Sequence, residues 1–306
     1  MKILIIKCSA AGDVVRTTPL LRTLPGEIWW VTEFPNGSLL PESAPNLSRI
    51  LLIDEAQNAI QGQQFDLVLS LDDDLRGATL ASNTRRRRLV GAFVEKGRVT
   101  YTESSEPWFG MGLLSKQGRG WADEAKRRNT KTYQEILFAM LGESFRGEEY
   151  WIRDSAITAI PGVVGIEKRA GERWPTKKWH GYDELAEKLR YDGYKIQFLA
   201  HCPTLADYMD DIARCEHLVC GDTLAMHLAL ALGRTVTAIF TCTPPQEIYD
   251  YGRLTKVVSA MVNQVLYRRT YVKKAVESIS VERVHAAVLE RLNSSIAETK
   301  IRQRAR

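Results

Sequence analysis

Three stretches of this 306-residue chain put a carboxylate, a cation or a hydroxyl just past an apolar run, where a strand would hand over to a helix. The densest is residues 217–240, HLVCGDTLAMHLALALGRTVTAIF. Leu218-Val219-Cys220 is a short apolar run ending at Gly221. Asp222 and Thr223 stand where a helix is capped, and Leu224, His227, Leu228, Ala231 and Leu232 follow at helical spacing. Gly233 closes the helix, and residues 236–240 are apolar and β-branched enough for a buried parallel strand. A helix opening beyond the carboxyl end of a strand offers unpaired N–H groups and the positive end of its dipole, which suits a phosphate or diphosphate. Asp222 would repel a bare phosphate. It fits sugar hydroxyls, with the N–H groups and neighbouring hydroxyls left for the phosphates, although a plain helix cap explains Asp222-Thr223 as well on this segment alone.

The second stretch is Lys7-Cys8-Ser9-Ala10-Ala11-Gly12-Asp13. Asp13 follows a glycine at a helix start, where the dipole favours its ionised form. An ionised, positioned carboxylate is suited to taking a proton from an attacking hydroxyl; a helix cap is the competing reading. The third is Glu172-Arg173-Trp174-Pro175-Thr176-Lys177-Lys178-Trp179. Thr176 and Lys177 would put a hydroxyl and a cation on a leaving diphosphate, where charge grows as the bond breaks. An exposed basic loop is the alternative. Asp72-Asp73-Asp74 invites reading as a metal-binding D-x-D, but Asp74 serves equally to cap a helix from Leu75. His227 reads as a packing histidine. No G-x-G-x-x-G fingerprint is present, which argues against dinucleotide redox chemistry.

These loops need a scaffold that ends strands beside one another. Residues 2–7, 28–32, 50–53 and 65–71 read as strands, 75–84 as a helix and 89–93 as strand-like. A helix follows Asp13 with Leu20, Leu21 and Leu24 on one face; Pro19 either begins it after a Thr18 cap or kinks it. Residues 103–128 are polar, with Trp108, Phe109 and Trp121 as contact candidates, and Tyr133–Leu141 is helical. After a join at 142–161 the rhythm restarts: strand 163–166, helix 182–189, strand 195–199, helix 205–215, the stretch at 217–240, strand 256–259 and helix 281–292. Two successive α/β halves follow, divided as 1–155 and 156–306, with strand-end loops turned toward a cleft between them.

Composition narrows the class. Apolar residues make up 44% and charged residues 26%, as in a globular protein, and no apolar run is long enough to span a bilayer. MKILIIK is too short for a signal peptide. Five cysteines without metal-ligand spacing suggest reduced thiols in the cytoplasm and no metal site. The net charge of +5 is concentrated in Arg85-Arg86-Arg87-Arg88 and in the tail IRQRAR. Such runs form solvated faces or hold an anionic glycan, glycolipid or membrane surface. Nucleic acid fits poorly, since no aromatic-and-basic interleaving accompanies them.

KILIIKCSAAGDVVRTTPLLRTL resembles the opening of glycosyltransferase family 9, the ADP-heptose:lipopolysaccharide heptosyltransferases. RWPTKKW and the helix and strand after it resemble the family's W-P-x-K-x-W segment. GDTLAMHLALALGRTVTAIFTCTPPQEIYDYG is similar to its D-[ST]-G-x-x-H-x-A-x-A-L-G signature and the loop beyond, and FDLVLSLDDDLR and RRRRLVGAF match weaker positions. The matches run in order from residue 2 to about residue 252. The resemblance implies a GT-B fold, two Rossmann-like domains with an interdomain cleft, the first binding acceptor and the second a nucleotide-sugar donor. It implies an inverting, metal-independent transfer without cofactor, from ADP-heptose or another NDP-sugar to a lipopolysaccharide-type or other glycan. Asp13 would be the base, with Arg16 and Thr17 toward the acceptor. Lys177 (or Lys178, if the alignment slips by one), Thr176, Asp222, Thr223, Thr241 and Thr243 would surround the donor. The enzyme would be cytoplasmic, in peripheral contact with the inner membrane through Arg85-Arg86-Arg87-Arg88. Two departures stand out: Leu224 replaces the signature glycine, and Thr241-Cys242-Thr243 replaces G-P-T. They touch donor identity, and they admit a nucleotide-sugar-binding scaffold without turnover as the alternative.

Overall fold

The run KILIIK is apolar on both sides of a strand, so it needs cover on two faces. In the computed structural model, which describes the backbone of residues 1–304 and side chains through residue 294, it is β1 (Lys2–Ile6) at the middle of a six-stranded sheet. Ile3 and Ile5 pack with Trp30, Leu67, Leu69, Leu137 and Phe138; Leu4 and Ile6 pack on the opposite face with Val31, Phe65, Val68 and Leu80. Fully burying a side chain of this size contributes roughly 1.5–3 kcal/mol, so this strand anchors its unit.

The chain divides into two compact units, Met1–Asp154 and Ser155–Arg306. In the first, β1, β2 (Glu27–Thr32), β3 (Leu47–Leu52), β4 (Gln64–Ser70) and β5 (Arg85–Glu95) are parallel. β6 (Arg98–Tyr101) closes the edge antiparallel to β5, giving the order β3-β2-β1-β4-β5-β6. The order reverses between β1 and β4, and loops at such a switch point are where open parallel sheets bind ligands. The helices of this unit are α1 (Ala11–Thr17), α2 (Ile53–Ala59), α3 (Leu75–Asn83), α4 (Glu106–Phe109), α5 (Arg119–Arg128) and α6 (Tyr133–Leu141). α6 begins with a capping box, Thr132 with Glu135, and ends at Gly142 in the left-handed conformation. Pro19 neither starts nor kinks a long helix. α1 stops at Thr17, and a 3-10 turn over Thr18–Arg22 carries Leu20 and Leu21 into the core.

The second unit contains β7 (Ile160–Glu167), α7 (Tyr182–Tyr191), β8 (Lys195–Phe198), α8 (Leu205–Arg214), β9 (Cys215–Gly221), α9 (Leu224–Ala231), β10 (Thr235–Phe240), β11 (Leu254–Val258), α10 (Lys273–Glu277) and α11 (Val281–Arg304). All five strands are parallel, in the order β11-β10-β9-β7-β8, and its switch point lies between β7 and β9. α9 is not amphipathic: residues 225–230 are all buried, and its two end residues, Leu224 and Ala231, are half-buried. Both units are Rossmann-like, as the alternation of apolar runs and helices requires.

The Arg85-Arg86-Arg87-Arg88 run is largely solvated, with Arg85, Arg87 and Arg88 exposed. It opens β5, with Arg85 paired to Gln64, the first residue of β4. Arg86 closes the end of α3 by donating to the carbonyls of Ala81, Ser82 and Thr84, and Arg87 lies 3.3 Å from Asp66. Six residues separate Arg85 from Gly91 at the sheet's carboxyl end, roughly 20 Å along the strand. The run therefore sits at the opposite end of the first sheet from Asp13 and does not join it in an acceptor site. The side chains of the tail at 301–306 lie outside the described residues.

His217 on β9 is fully buried, with its ring nitrogens 2.9 Å from the Thr235 hydroxyl and 3.0 Å from that of Thr237. Burial, with a smaller contribution from Arg291, pushes the imidazole down to about 3 from 6.5. The unfolded chain thus takes up a proton that the folded protein refuses. Stability is complete above the ordinary value and falls as pH drops toward the folded one, by about 1.4 kcal/mol per pH unit. Urea unfolding at a series of pH values in that window should show this slope, and His217→Gln should flatten it.

Candidate functional site

In the first unit, the ends of β1 and β4 bring Lys7 and Asp72 together, because Ile6 is in register with Ser70. One Asp72 oxygen accepts from Lys7 Nζ and the other from the Cys8 N–H; both side chains are buried. Asp72 is therefore committed inside the protein, and Asp74 accepts from Gly77 N at 2.9 Å as the cap of α3. Among the described residues, no group of three or more His, Cys, Asp or Glu side chains is placed to hold a metal ion. The five cysteines are free thiols, four of them buried.

Ala10, at φ 57°, turns the chain so that its carbonyl accepts from Asp13 N at 2.7 Å and Val14 N at 3.1 Å. Asp13 lies in the first turn of α1 with its side chain 37% exposed, 3.7 Å from Lys7 Nζ and 3.4 Å from Arg16 Nη1. It is not the helix cap, a position taken by Ala10 without any side-chain bond. Arg16 lies with its guanidinium 3.9 Å from the Tyr133 ring centroid and 5.7 Å from that of Trp108. Thr17 is fully buried; its hydroxyl donates to the Asp13 carbonyl at 2.7 Å and lies 2.8 Å from the Tyr133 hydroxyl. It supports the turn and is not presented to a ligand. Of the aromatic contact candidates, Phe109 is core and stacks on Tyr101, Trp108 packs edge-on against Tyr133, and Trp121 is 46% exposed.

In the second unit the two tryptophans of the RWPTKKW stretch pin its loop. Trp174 packs against Tyr267 at 5.1 Å, while Trp179 is buried and donates to the Ile279 carbonyl at 2.9 Å. Between them a 3-10 turn over Pro175–Lys177 sends Lys177 inward and leaves Lys178 exposed. Lys177 Nζ lies 2.6 Å from the Asp222 carbonyl and 3.0 Å from Asp222 Oδ2, each side chain 15% exposed. Burial alone would raise the Asp222 carboxyl. Lys177 and His227, with the Thr243 hydroxyl beside it, pull it down to about 2. His227 is buried on α9, but its ring is part of the electrostatics of this carboxylate and not packing alone.

The threonines divide. Thr223 is the N-cap residue of α9, yet its hydroxyl makes no capping bond and is buried without a partner. Leaving such a group unsatisfied costs about 1–3 kcal/mol. The buried Thr176 hydroxyl is bonded to Thr270 O at 3.3 Å and Val272 N at 3.0 Å, and Thr241 donates to Thr176 O at 2.6 Å. Those two hydroxyls hold the loop and are spent there. Lys177, Asp222, Thr223 and Thr243 thus gather at the switch point of the second sheet, and Lys7, Asp13 and Arg16 at that of the first. Lys7 and Asp72 went unrecognised as neighbours of Asp13, though each directly follows an apolar run of adjacent central strands.

Residues 202–277 match glycosyltransferase family 9 (heptosyltransferase). Lipopolysaccharide heptosyltransferase 1 of Pseudomonas aeruginosa is 23% identical, over 83% of this chain and 82% of the relative. The family 9 glycosyl transferase of Veillonella parvula superposes with a TM-score of 0.65 at 16% identity, over 96% of this chain and 97% of the other. Escherichia coli heptosyltransferase WaaC, solved with ADP-2-deoxy-2-fluoro heptose, gives 0.60 at 15% identity, over 95% and 99%. The fold is GT-B. Among the described residues no helix is long and apolar enough to cross a membrane.

Proposed function

We propose that this chain, a glycosyltransferase of family 9, moves heptose from ADP-heptose to a hydroxyl of a lipopolysaccharide-type glycan, with inversion at the sugar carbon. The observation that carries the reading is the Lys177–Asp222 pair at the opening of α9, beside the unpartnered Thr223 hydroxyl. A cation, a carboxylate and a helix N-terminus together suit a ligand with both phosphates and hydroxyls.

In this mechanism Asp13 takes the proton from the acceptor hydroxyl as its oxygen bonds to the anomeric carbon. The bond from that carbon to the diphosphate oxygen breaks, and ADP leaves with the electron pair. Lys177 and the first-turn N–H groups of α9 meet the charge that grows there, and no metal ion or other cofactor takes part. Asp222 accepts from sugar hydroxyls, and Thr223 bonds the phosphates. Arg16 faces anionic groups of the acceptor. The first unit is thus the acceptor side and the second the donor side. A glycolipid acceptor would bring the enzyme to the cytoplasmic face of the inner membrane.

A thermal-unfolding panel with ADP, UDP, GDP and CMP tests the donor class. ADP at a hundredfold excess over its Kd should stabilise the folded protein by about 2.7 kcal/mol, and the others less. A larger response to UDP would reassign the nucleotide, and no response to any of them would remove the donor reading.

A further inference from the structure

We propose that Lys7 is a positioning residue whose charge is divided between two carboxylates, so that Asp13 is held in place and ionised while keeping its basicity. This rests on the reading of Asp13 as the base. Lys7 Nζ donates to Asp72 and lies 3.7 Å from Asp13 Oδ2, farther than a direct hydrogen bond reaches. Asp72 is itself anchored by the Cys8 N–H, so the ammonium has a fixed seat and its nearer partner is the carboxylate that does not face solvent. Burial alone would lower the Lys7 ammonium, but Asp72 and then Asp13 raise it, so it stays charged throughout the working range.

Among the groups facing Asp13 are Lys7 from the end of β1, Arg16 from α1 and Tyr133 from α6, with Asp72 and then Asp74 behind Lys7. A lone lysine tightly bonded to Asp13 would hold it as an anion too weakly basic to accept a proton; with no lysine, the carboxylate would protonate more readily and lose its seat. Sharing with Asp72 gives the intermediate case, which general-base work favours.

The test is a 13C NMR titration of the carboxyl groups in Asp-labelled protein, with the Asp13 resonance assigned by its loss in Asp13→Asn, alongside the pH profile of kcat. Lys7→Met should raise the Asp13 midpoint by about one pH unit. Asp72→Asn should lower it, because Lys7 is then left to Asp13 alone. Lys7→Met leaves Asp72 buried without its cation, so Lys7→Met/Asp72→Asn serves as the variant without either charge, with a rise again expected. An unmoved midpoint in that double variant overturns the proposal, and so does a rise in Asp72→Asn. If the midpoint moves while the acid limb of kcat does not, the Lys7 assignment stands and the base assignment to Asp13 falls.

Discussion

Asp13→Asn should reduce sugar transfer by roughly 10²–10⁴ while leaving the fold and the affinity for nucleotide unchanged. The substitution keeps the shape of the side chain and removes only its capacity to hold a proton. It should be benign to the fold because each cation near Asp13 keeps another partner. Lys7 remains bonded to Asp72, and Arg16 remains over the Tyr133 ring. Asp13 itself is partly exposed. The loss should therefore fall on kcat, with equal thermal midpoints and equal ADP affinity. Full activity in a folded Asp13→Asn protein would remove the base assignment.

Lys177→Ala should cost about as much by a different route. Removing a preorganised cation from a developing charge lowers rate by roughly 10²–10³. Nucleotide affinity should fall with it, since the same ammonium meets the diphosphate before and during bond breaking. Stability should drop too, by about 2 kcal/mol, since Asp222 is left mostly buried with His227 and Thr243 but without its main counter-charge. Calorimetric titration with ADP and denaturant unfolding separate the two losses. Lys178→Ala, at an exposed position on the same loop, should change neither. Equal effects of the two alanines would mean that the loop acts through overall charge and not through the Lys177–Asp222 geometry.

Much of the fold was legible because strands in parallel sheets are buried on both faces and read as unbroken apolar runs. KILIIK, FDLVLS and TVTAIF are of this kind, and the helix over Tyr133–Leu141 carries its own stop signals in Thr132 and Gly142. β5 was read short because its first four residues are arginines. They are tolerated at the sheet's amino end, where Arg86 caps α3 and Arg87 meets Asp66. β6 was missed: it is four residues long, and its pairing is fixed by the turn at Lys96-Gly97, both at positive φ, more than by its own pattern.

At the site, residue types told less than placement. Lys177 and Asp222 were legible as a cation and a carboxylate at two strand ends, but their contact depends on Trp174 and Trp179 fixing the loop between them. Thr176, Thr223, Thr241 and Thr243 look alike as sequence. Only packing separates the hydroxyls of Thr176 and Thr241, which tie the loop together, from that of Thr223, left unpartnered beside α9. Lys7 was hidden for the opposite reason: a lysine closing an apolar strand reads as its exposed end, and its burial depends on Asp72, 65 positions away.

The most direct measurement of the central claim uses purified protein, ADP-heptose labelled at the anomeric carbon, and a truncated lipopolysaccharide acceptor, with the product read by NMR. Label should pass to the glycolipid, with the new linkage inverted relative to the donor. A retained configuration would contradict a single displacement assisted by Asp13, and a donor left intact beside a competent acceptor would contradict sugar transfer itself.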